Sequence, residues 1–361
     1  WDGDGKVDRR AVTGAVSRTY PRHGPHTVRI WGDYPASGPL CEAFDVPYDW
    51  ATTPSTYGPY VSPWDGLLQF DEGLRALEVL QWGDVEWSSL EGVFRRCLGL
   101  TIDAPDVPRL SDRVEGVSMA WMFETSPTFE GDIAAWDTAN VVDMQGMFAN
   151  AIAFDQDIGN WDTAAVRDMS AMFDRALTFD RPIGDWDTSR VEDTSDMFRG
   201  ARAFDQDLGS WDTANVREMQ RMFLEAASFD QPIGGWNTAS VTNLTATFAD
   251  ALAFDQPLDD WDTRRVEEMN RTFFRASSFD QPLGGWATGR VTAMSEMFVE
   301  AVAFDQPLGD WDTSQVTSMA WMFLGAETFD QDLSGWDVSN VDEGQRFERP
   351  PAMRPEFMPE W

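Results

Sequence analysis

The stretch WDTAAVRDMSAMFDRA, residues 161–176, has a near copy in WDTANVREMQRMFLEA, residues 211–226. Trp, Asp, Thr, Val, both Met, Phe and Ala hold the same places in the two. Working outward, Trp recurs at 136, 161, 186, 211, 236, 261, 286, 311 and 336, a constant step of 25 residues. Phe keeps that step from Phe129 to Phe329, and Val from Val141 to Val341. Nine units in register share the pattern F-D-Q-x-I/L-G-x-W-D-T-x-x-V-x-x-M-x-x-M-F-x-x-A. One such unit cannot bury its own Phe, Trp, Val and Met side chains. Stacked units can, because each covers the apolar flank of the next.

Two patterns sit inside a unit. After Val166, the apolar residues Met169, Met172, Phe173 and Ala176 stand at offsets of 3, 6, 7 and 10. That is the spacing of one face of a helix about three turns long. Thr163 occupies the N-cap place, and Ser189-Arg-Val-Glu192 has the spacing of a capping box. The stretch from Phe154 to Trp161 is short, carries Gly159, and reads as an extended segment entered by a turn. The expected fold is an α/β repeat solenoid, leucine-rich-repeat-like in its unit length, with one short strand and one short helix per unit. A small β-containing cap is expected at its N-terminal end. The Met stripe reads as core, since Met fills irregular gaps. Parallel strands about 4.8 Å apart would make nine units span on the order of 40–45 Å.

The 27 Lys and Arg face 62 Asp and Glu, a net charge of −35. Nucleic acid, a polyanion recognised by clustered cations, is excluded as a partner class, and anionic membrane surfaces are disfavoured. Divalent cations and cationic partners suit this charge. No run approaches 18 apolar residues, so no membrane-spanning helix is expected. The chain opens at Trp1 without Met, and we expect a mature or trimmed fragment. Cys41 and Cys97 are too few for a disulfide scaffold or a structural zinc site, and would pair once in an oxidising compartment.

Two Asp columns run through the array. One is Asp155, Asp180, Asp205, Asp230, Asp255, Asp280, Asp305 and Asp330. The other runs from Asp137 to Asp337, with Asn237 and Ala287 interrupting it. Like charges stacked about 5 Å apart cost roughly 1 kcal/mol per neighbouring pair in water. An Asx-turn or cap role would offset that cost, and Asn237 favours it because Asn caps without charge. A carboxylate ladder for cations is the other reading. A separate candidate is Asp2-Gly-Asp4-Gly5-Lys-Val7-Asp8, which matches positions three to nine of an EF-hand loop. Asp2, Asp4 and Asp8 are the candidate metal ligands, with Ca2+ as the ion. Ala11 stands where the bidentate Glu belongs.

Upstream of the nine units, Met119-x-x-Met122-Phe123 repeats the second half of the motif, with Ser111 in the Trp place. Before it lies Trp82-Gly-Asp-Val-Glu-Trp87-Ser-Ser-Leu-Glu-Gly-Val-Phe94-Arg-Arg-Cys97. These residues and the 25-residue units resemble the BspA-type leucine-rich-repeat surface proteins, a bacterial surface-protein repeat known also from mycoplasma lipoproteins. The Trp82–Cys97 segment resembles the N-terminal cap of those arrays, and His26-Thr-Val-Arg-Ile-Trp-Gly-Asp-Tyr-Pro35 resembles the strand before it. The resemblance covers roughly residues 26–343. It implies a surface-displayed or secreted protein, with adhesion or protein binding as its role and no catalytic residue to carry over. The organisation expected is a β-containing segment and linker (1–75), a cap with degenerate opening repeats (76–128), the solenoid (129–348) and a C-terminal tail or cap (349–361). Gly344 and Glu348 end the motif, and the prolines after Arg349 end the array.

Catalysis needs a base, a nucleophile or a metal set, and the chain shows no such constellation. His23 and His26, its only histidines, precede the array. A non-enzymatic binding role is expected, with a protein or glycan at a cell surface as partner. A structural spacer or coat component of a larger extracellular assembly is the alternative. Recognition is expected at the variable position after Val, represented by Arg167, Glu192, Arg217 and Glu267, and at Trp121 and Trp321, aromatics outside the repeat columns.

Overall fold

The computed structural model describes residues 26–29, 67–71, 76–83 and 86–361. The strands are β1 (His26–Arg29), β2 (Leu67–Asp71), β3 (Ala76–Gln81), β4 (Glu86–Trp87), β5 (Gly99–Ile102), β6 (Arg109–Leu110), β7 (Val117–Ser118), β8 (Glu130–Gly131) and β9 (Val141–Asp143). A five-stranded sheet has the order β1-β2-β3-β5-β8. Its first two pairings are antiparallel, and the β3–β5 and β5–β8 pairings are parallel. β4 pairs β6, and β7 pairs β9, both parallel. From β9 onward each unit contributes a single parallel bridge, Asp143 to Asp168 to Asp193 and so on to Ser318.

The expected helix in each unit is absent. Among the described residues no α-helix occurs, and the helical segments are 3-10 turns at Glu343–Gln345 and Pro355–Phe357. The stretch from Phe154 to Trp161 forms no strand either. Residues 169–176 instead form a rib of overlapping turns. The amides of Met172, Asp174 and Ala176 close back onto the carbonyls of Met169, Ala171 and Phe173 at 3.0–3.2 Å. The alternate amides, of Met169, Ala171, Phe173 and Arg175, leave the rib and donate to Asp193, Ser195, Met197 and Arg199 of the next unit at 2.6–3.1 Å. Ala171 and Arg175 take φ of 53° and 56°, a left-handed conformation that no α-helix contains. A turn closed between residues three apart reproduces the offsets of a helix face, which is why the apolar pattern read as one. A helix of about three turns, which the pattern allowed, is too short to hold by itself. The ladder satisfies the same backbone groups by pairing units.

Inside the ribs the side chains form continuous stacks. Phe173, Phe198, Phe223, Phe248, Phe273, Phe298 and Phe323 follow one another at ring-centroid steps of 5.5–5.7 Å. Each also faces the Phe that opens the following unit, as Phe173 does Phe179 at 4.0 Å. The Trp column from Trp211 to Trp336 steps 6.2–6.5 Å. Equivalent atoms advance less on the rib side than on the Trp side, so the array curves with its ribs on the inner face. All these rings are at most 5% exposed, and stacked rings add to the burial of their area.

The ladder starts before the nine units. Leu90, Gly92, Phe94 and Arg96 donate to Ser118, Ala120, Met122 and Glu124, so the Trp82–Cys97 segment supplies a first rib. Trp82 is fully buried and meets Trp87, Phe94 and Trp136 edge-on at 5.3–6.1 Å. Cys97 is buried and disulfide-bonded. At the other end the tail continues the bonding of a unit. Met319 donates to Gln345, Leu333 to Phe357, and Arg354 to the Asp330 carboxylate. Phe347 then turns edge-on to Phe323, Trp336 and Trp361 at 5.2–6.2 Å, which closes the stacks. No helix among the described residues is long and apolar enough to cross a membrane.

Candidate functional site

The Trp-Asp-Thr triplet serves architecture. The Trp211 indole N–H donates to the Ile183 carbonyl of the preceding unit at 3.1 Å. Asp212 accepts the Ala214 amide within its own turn at 3.0 Å. The Thr213 hydroxyl donates to the Asn237 carbonyl of the following unit at 3.1 Å. One triplet therefore ties its unit backward, to itself, and forward. Asn237 fills the Asp place with its own carbonyl oxygen accepting from Ala239 at 3.2 Å. The hydroxyl and then the amide of the serine two residues on hold Asp187, Asp312 and Asp337 below the usual carboxylate range.

The other Asp column is a ladder of a different kind. Each carboxylate from Asp155 to Asp305 accepts the backbone N–H of its counterpart in the next unit, and Asp330, the last, accepts that of Arg354. Asp205 takes the Asp230 amide at 2.9 Å and the Gln231 side-chain amide at 2.8 Å. The same pair of donors serves Asp230, Asp255, Asp280 and Asp305. The donors offset the stacking of like charges. Among the described residues no three His, Cys, Asp or Glu side chains are grouped to hold a metal. Asp2, Asp4 and Asp8 lie outside the described residues.

The predicted recognition residues fall on the rib face as two columns. In the first, Glu192 donates its amide to Arg167, Arg217 to Glu192, and Glu267 to Thr242, so these positions are neighbours along the array. Arg167, Arg217 and Glu267 are exposed and Glu192 half-buried. Arg217 lies 3.5 Å from Glu192, and Arg290 bonds Glu267 at 2.6 Å. The second column carries Trp121 and Trp321 at its two ends. Both are left-handed, with φ of 57° and 56°. Trp121 is covered: it lies across Gly146, where an added Cβ would stand 2.1 Å from the indole, and Arg95 stacks over it. Trp321 is open, at 59% exposure.

A third column was missed, although its signal is in the sequence. The position after Met-Phe reads Ala149, Asp174, Arg199, Leu224, Ala249, Phe274, Val299 and Leu324, with two adjacent charged residues early and apolar ones from Leu224 onward. In the charged half, Arg199 stands 3.7 Å from Asp174 and 3.5 Å from Asp196, and Arg221 bonds Asp196 at 2.6 Å. Burial pushes the Asp174 carboxyl up, with the Arg199 charge opposing. In the apolar half, Leu324 is 55% exposed and Arg271 stacks over Phe274 at 5.5 Å. Beside it runs a shallow groove of about 440 Å³ lined by Leu252, Arg275, Ser277, Glu300, Val302 and Glu327. The face thus offers an ionic half and an apolar half on the inside of the curve.

A family model described as Mycoplasma protein of unknown function, DUF285, matches the chain in three overlapping stretches, residues 90–210, 198–300 and 269–349. These begin at the first rib and end in the C-terminal cap, and together they take in well over half of the chain. No curated protein matches it.

Proposed function

The chain belongs to the Mycoplasma proteins of unknown function designated DUF285, and from that premise we propose a non-enzymatic, surface-displayed or secreted repeat protein that binds another protein through its rib face. The observation that carries this reading is the exposed apolar set on the inner face of a curved array, where Trp321 and Leu324 stand 59% and 55% exposed. Extended inner faces are the binding surfaces of solenoids, and exposed apolar groups rimmed by charge mark interaction sites. The disulfide at Cys97 supports an extracellular setting, since such bonds persist in oxidising compartments. The BspA-type likeness of the repeat supports surface display in the same proposal. Continuous stacks closed by a cap also suit a rigid spacer.

A photo-crosslinking residue at Arg217 or Trp321, compared with one at Asp255 in the carboxylate ladder outside the rib, separates the two on native cells. Capture of one partner from the rib positions alone supports binding. Equal capture, or none, supports the spacer.

A further inference from the structure

The apolar half of the rib face carries an inference about the partner. Leu252, Val302, Trp321 and Leu324 are 43%, 39%, 59% and 55% exposed, and Phe274 stands half-buried among them. Carboxylates border this set: Glu300 and Glu327 line the groove with Leu252 and Val302, Asp250 joins Glu300 on Arg275, and Glu296 holds Arg271 over Phe274. The guanidiniums there are held by those same acids. Arg271 bonds Glu296 at 2.7 Å, and Arg275 bridges Asp250 at 2.9 Å and Glu300 at 3.2 Å. A ligand therefore meets apolar contacts in an acidic frame, on a chain whose net charge is −35. A second copy of the chain would set acid against acid.

We propose that this patch docks a basic amphipathic α-helix of a partner protein, laid along the stacking axis with its apolar side chains on the exposed apolar set and its Lys or Arg on the bordering acids. This rests on the binding role proposed above and names the partner's chemistry. The geometry favours a helix. The neighbouring Phe column advances 5.6, 5.6 and 5.5 Å per unit from Phe248 to Phe323. An α-helix advances about 5.4 Å per turn and the hydrogen-bonded ribs above these rings about 4.8 Å per unit, so over the three or four units of the patch each turn meets roughly one unit. Helices of this kind lay their apolar face into grooves through contacts three and four residues apart.

The test uses the full chain and a fluorescein-labelled peptide with leucines at three- and four-residue spacing and lysines on its flanks. Its controls are a scrambled isomer of equal composition and a version with glutamates for lysines. Fluorescence anisotropy is expected to show binding of the first peptide at least tenfold tighter than of either control. Trp321→Glu with Leu324→Glu is expected to weaken it at least tenfold, and Trp321→Ala with Leu324→Ala by a smaller factor. Ile152→Glu with Leu177→Glu, at exposed positions of the N-terminal units, is expected to leave it unchanged. Equal binding of the scrambled isomer, equal loss in the two glutamate variants, or a patch-dependent dimer in sedimentation overturns the proposal. A native partner captured on the rib face that binds the Trp321→Glu, Leu324→Glu protein undiminished would also overturn it, and would leave the broader binding role standing.

Discussion

The indole N–H of Trp211 donates to the carbonyl oxygen of Ile183, 3.1 Å away in the preceding unit. The bond joins two units through a side chain that is itself 4% exposed and stacked on Trp236. Trp211→Ala removes ring and bond together and is expected to cost about 3–5 kcal/mol, as other large aromatic truncations do. Trp211→Phe keeps most of the apolar area but orphans the carbonyl, and is expected to cost about 1–3 kcal/mol. Urea titration followed by fluorescence of the remaining tryptophans orders the two. Equal losses would show that the bond adds nothing.

Asp205 tests the carboxylate ladder. Asn at this place retains an oxygen that can accept from the Asp230 amide and the Gln231 side chain. Asp205→Asn is therefore expected to melt close to the parent, while Asp205→Ala loses both bonds and costs about 1–3 kcal/mol. Calcium or EDTA is expected to leave the melting of the array unchanged, because protein donors fill the sites an ion would use. A calcium-dependent shift abolished in Asp205→Asn would restore the cation reading.

Thr288 is 1% exposed, and its hydroxyl donates to the Asp312 carbonyl at 3.0 Å. Thr288→Val preserves shape and loses the bond, for an expected cost of about 1 kcal/mol. Thr288→Ser keeps the hydroxyl and loses only a buried methyl. Calorimetric melts of the two variants distinguish a bonding role from a packing one: if Ser costs far more than Val, packing dominates.

The pH response separates two kinds of carboxyl. Burial raises the Asp174 value above its ordinary 3.8, with Arg199 opposing. A carboxyl raised in the folded state destabilises the fold while ionised, and that cost disappears as pH falls through the raised value. Asp174→Asn is expected to melt higher than the parent at pH 7, the difference closing below pH 3.8. Asp262 behaves oppositely. Its bond from Arg264 holds it at about 2, so its stabilisation is present above 3.8 and is lost as pH falls toward 2. Arg264 is largely exposed, so the effect of Asp262→Asn at pH 7 is a small decrease, screened by salt. Melting curves from pH 2 to 7 check both directions.

Much of this molecule is legible in its residues. The register of nine units, the burial of Trp, Phe, Val and Met, and the cap role of the second Asp column follow from spacing and side-chain chemistry. The helix in each unit does not. Val166, Met169, Met172, Phe173 and Ala176 face inward whether the backbone closes helical turns or successive four-residue turns, so the apolar pattern cannot distinguish them. Left-handed residues would have told against a helix. Those places are held far more often by residues such as Ala171, Arg175, Arg221 and Glu225 than by glycine, and such side chains do not announce a positive φ. For the rib face, Arg167, Glu192, Arg217 and Glu267 were visible as a varying position. The apolar run of Leu224, Phe274, Val299 and Leu324 was equally visible, but it has meaning only once adjacent units are known to set these residues side by side.

The sequence by itself determined that identical units stack and which side chains they bury, because a 25-residue unit has no other way to remove its aromatic rings from water. Only the tertiary structure decided where the backbone hydrogen bonds go. Alternate rib amides pair with the next unit, so the conformation of each unit is set by its neighbour. That pairing turns a helical pattern into a ladder of turns, converts the Asp column into acceptors for backbone donors, and brings distant apolar residues onto one curved face.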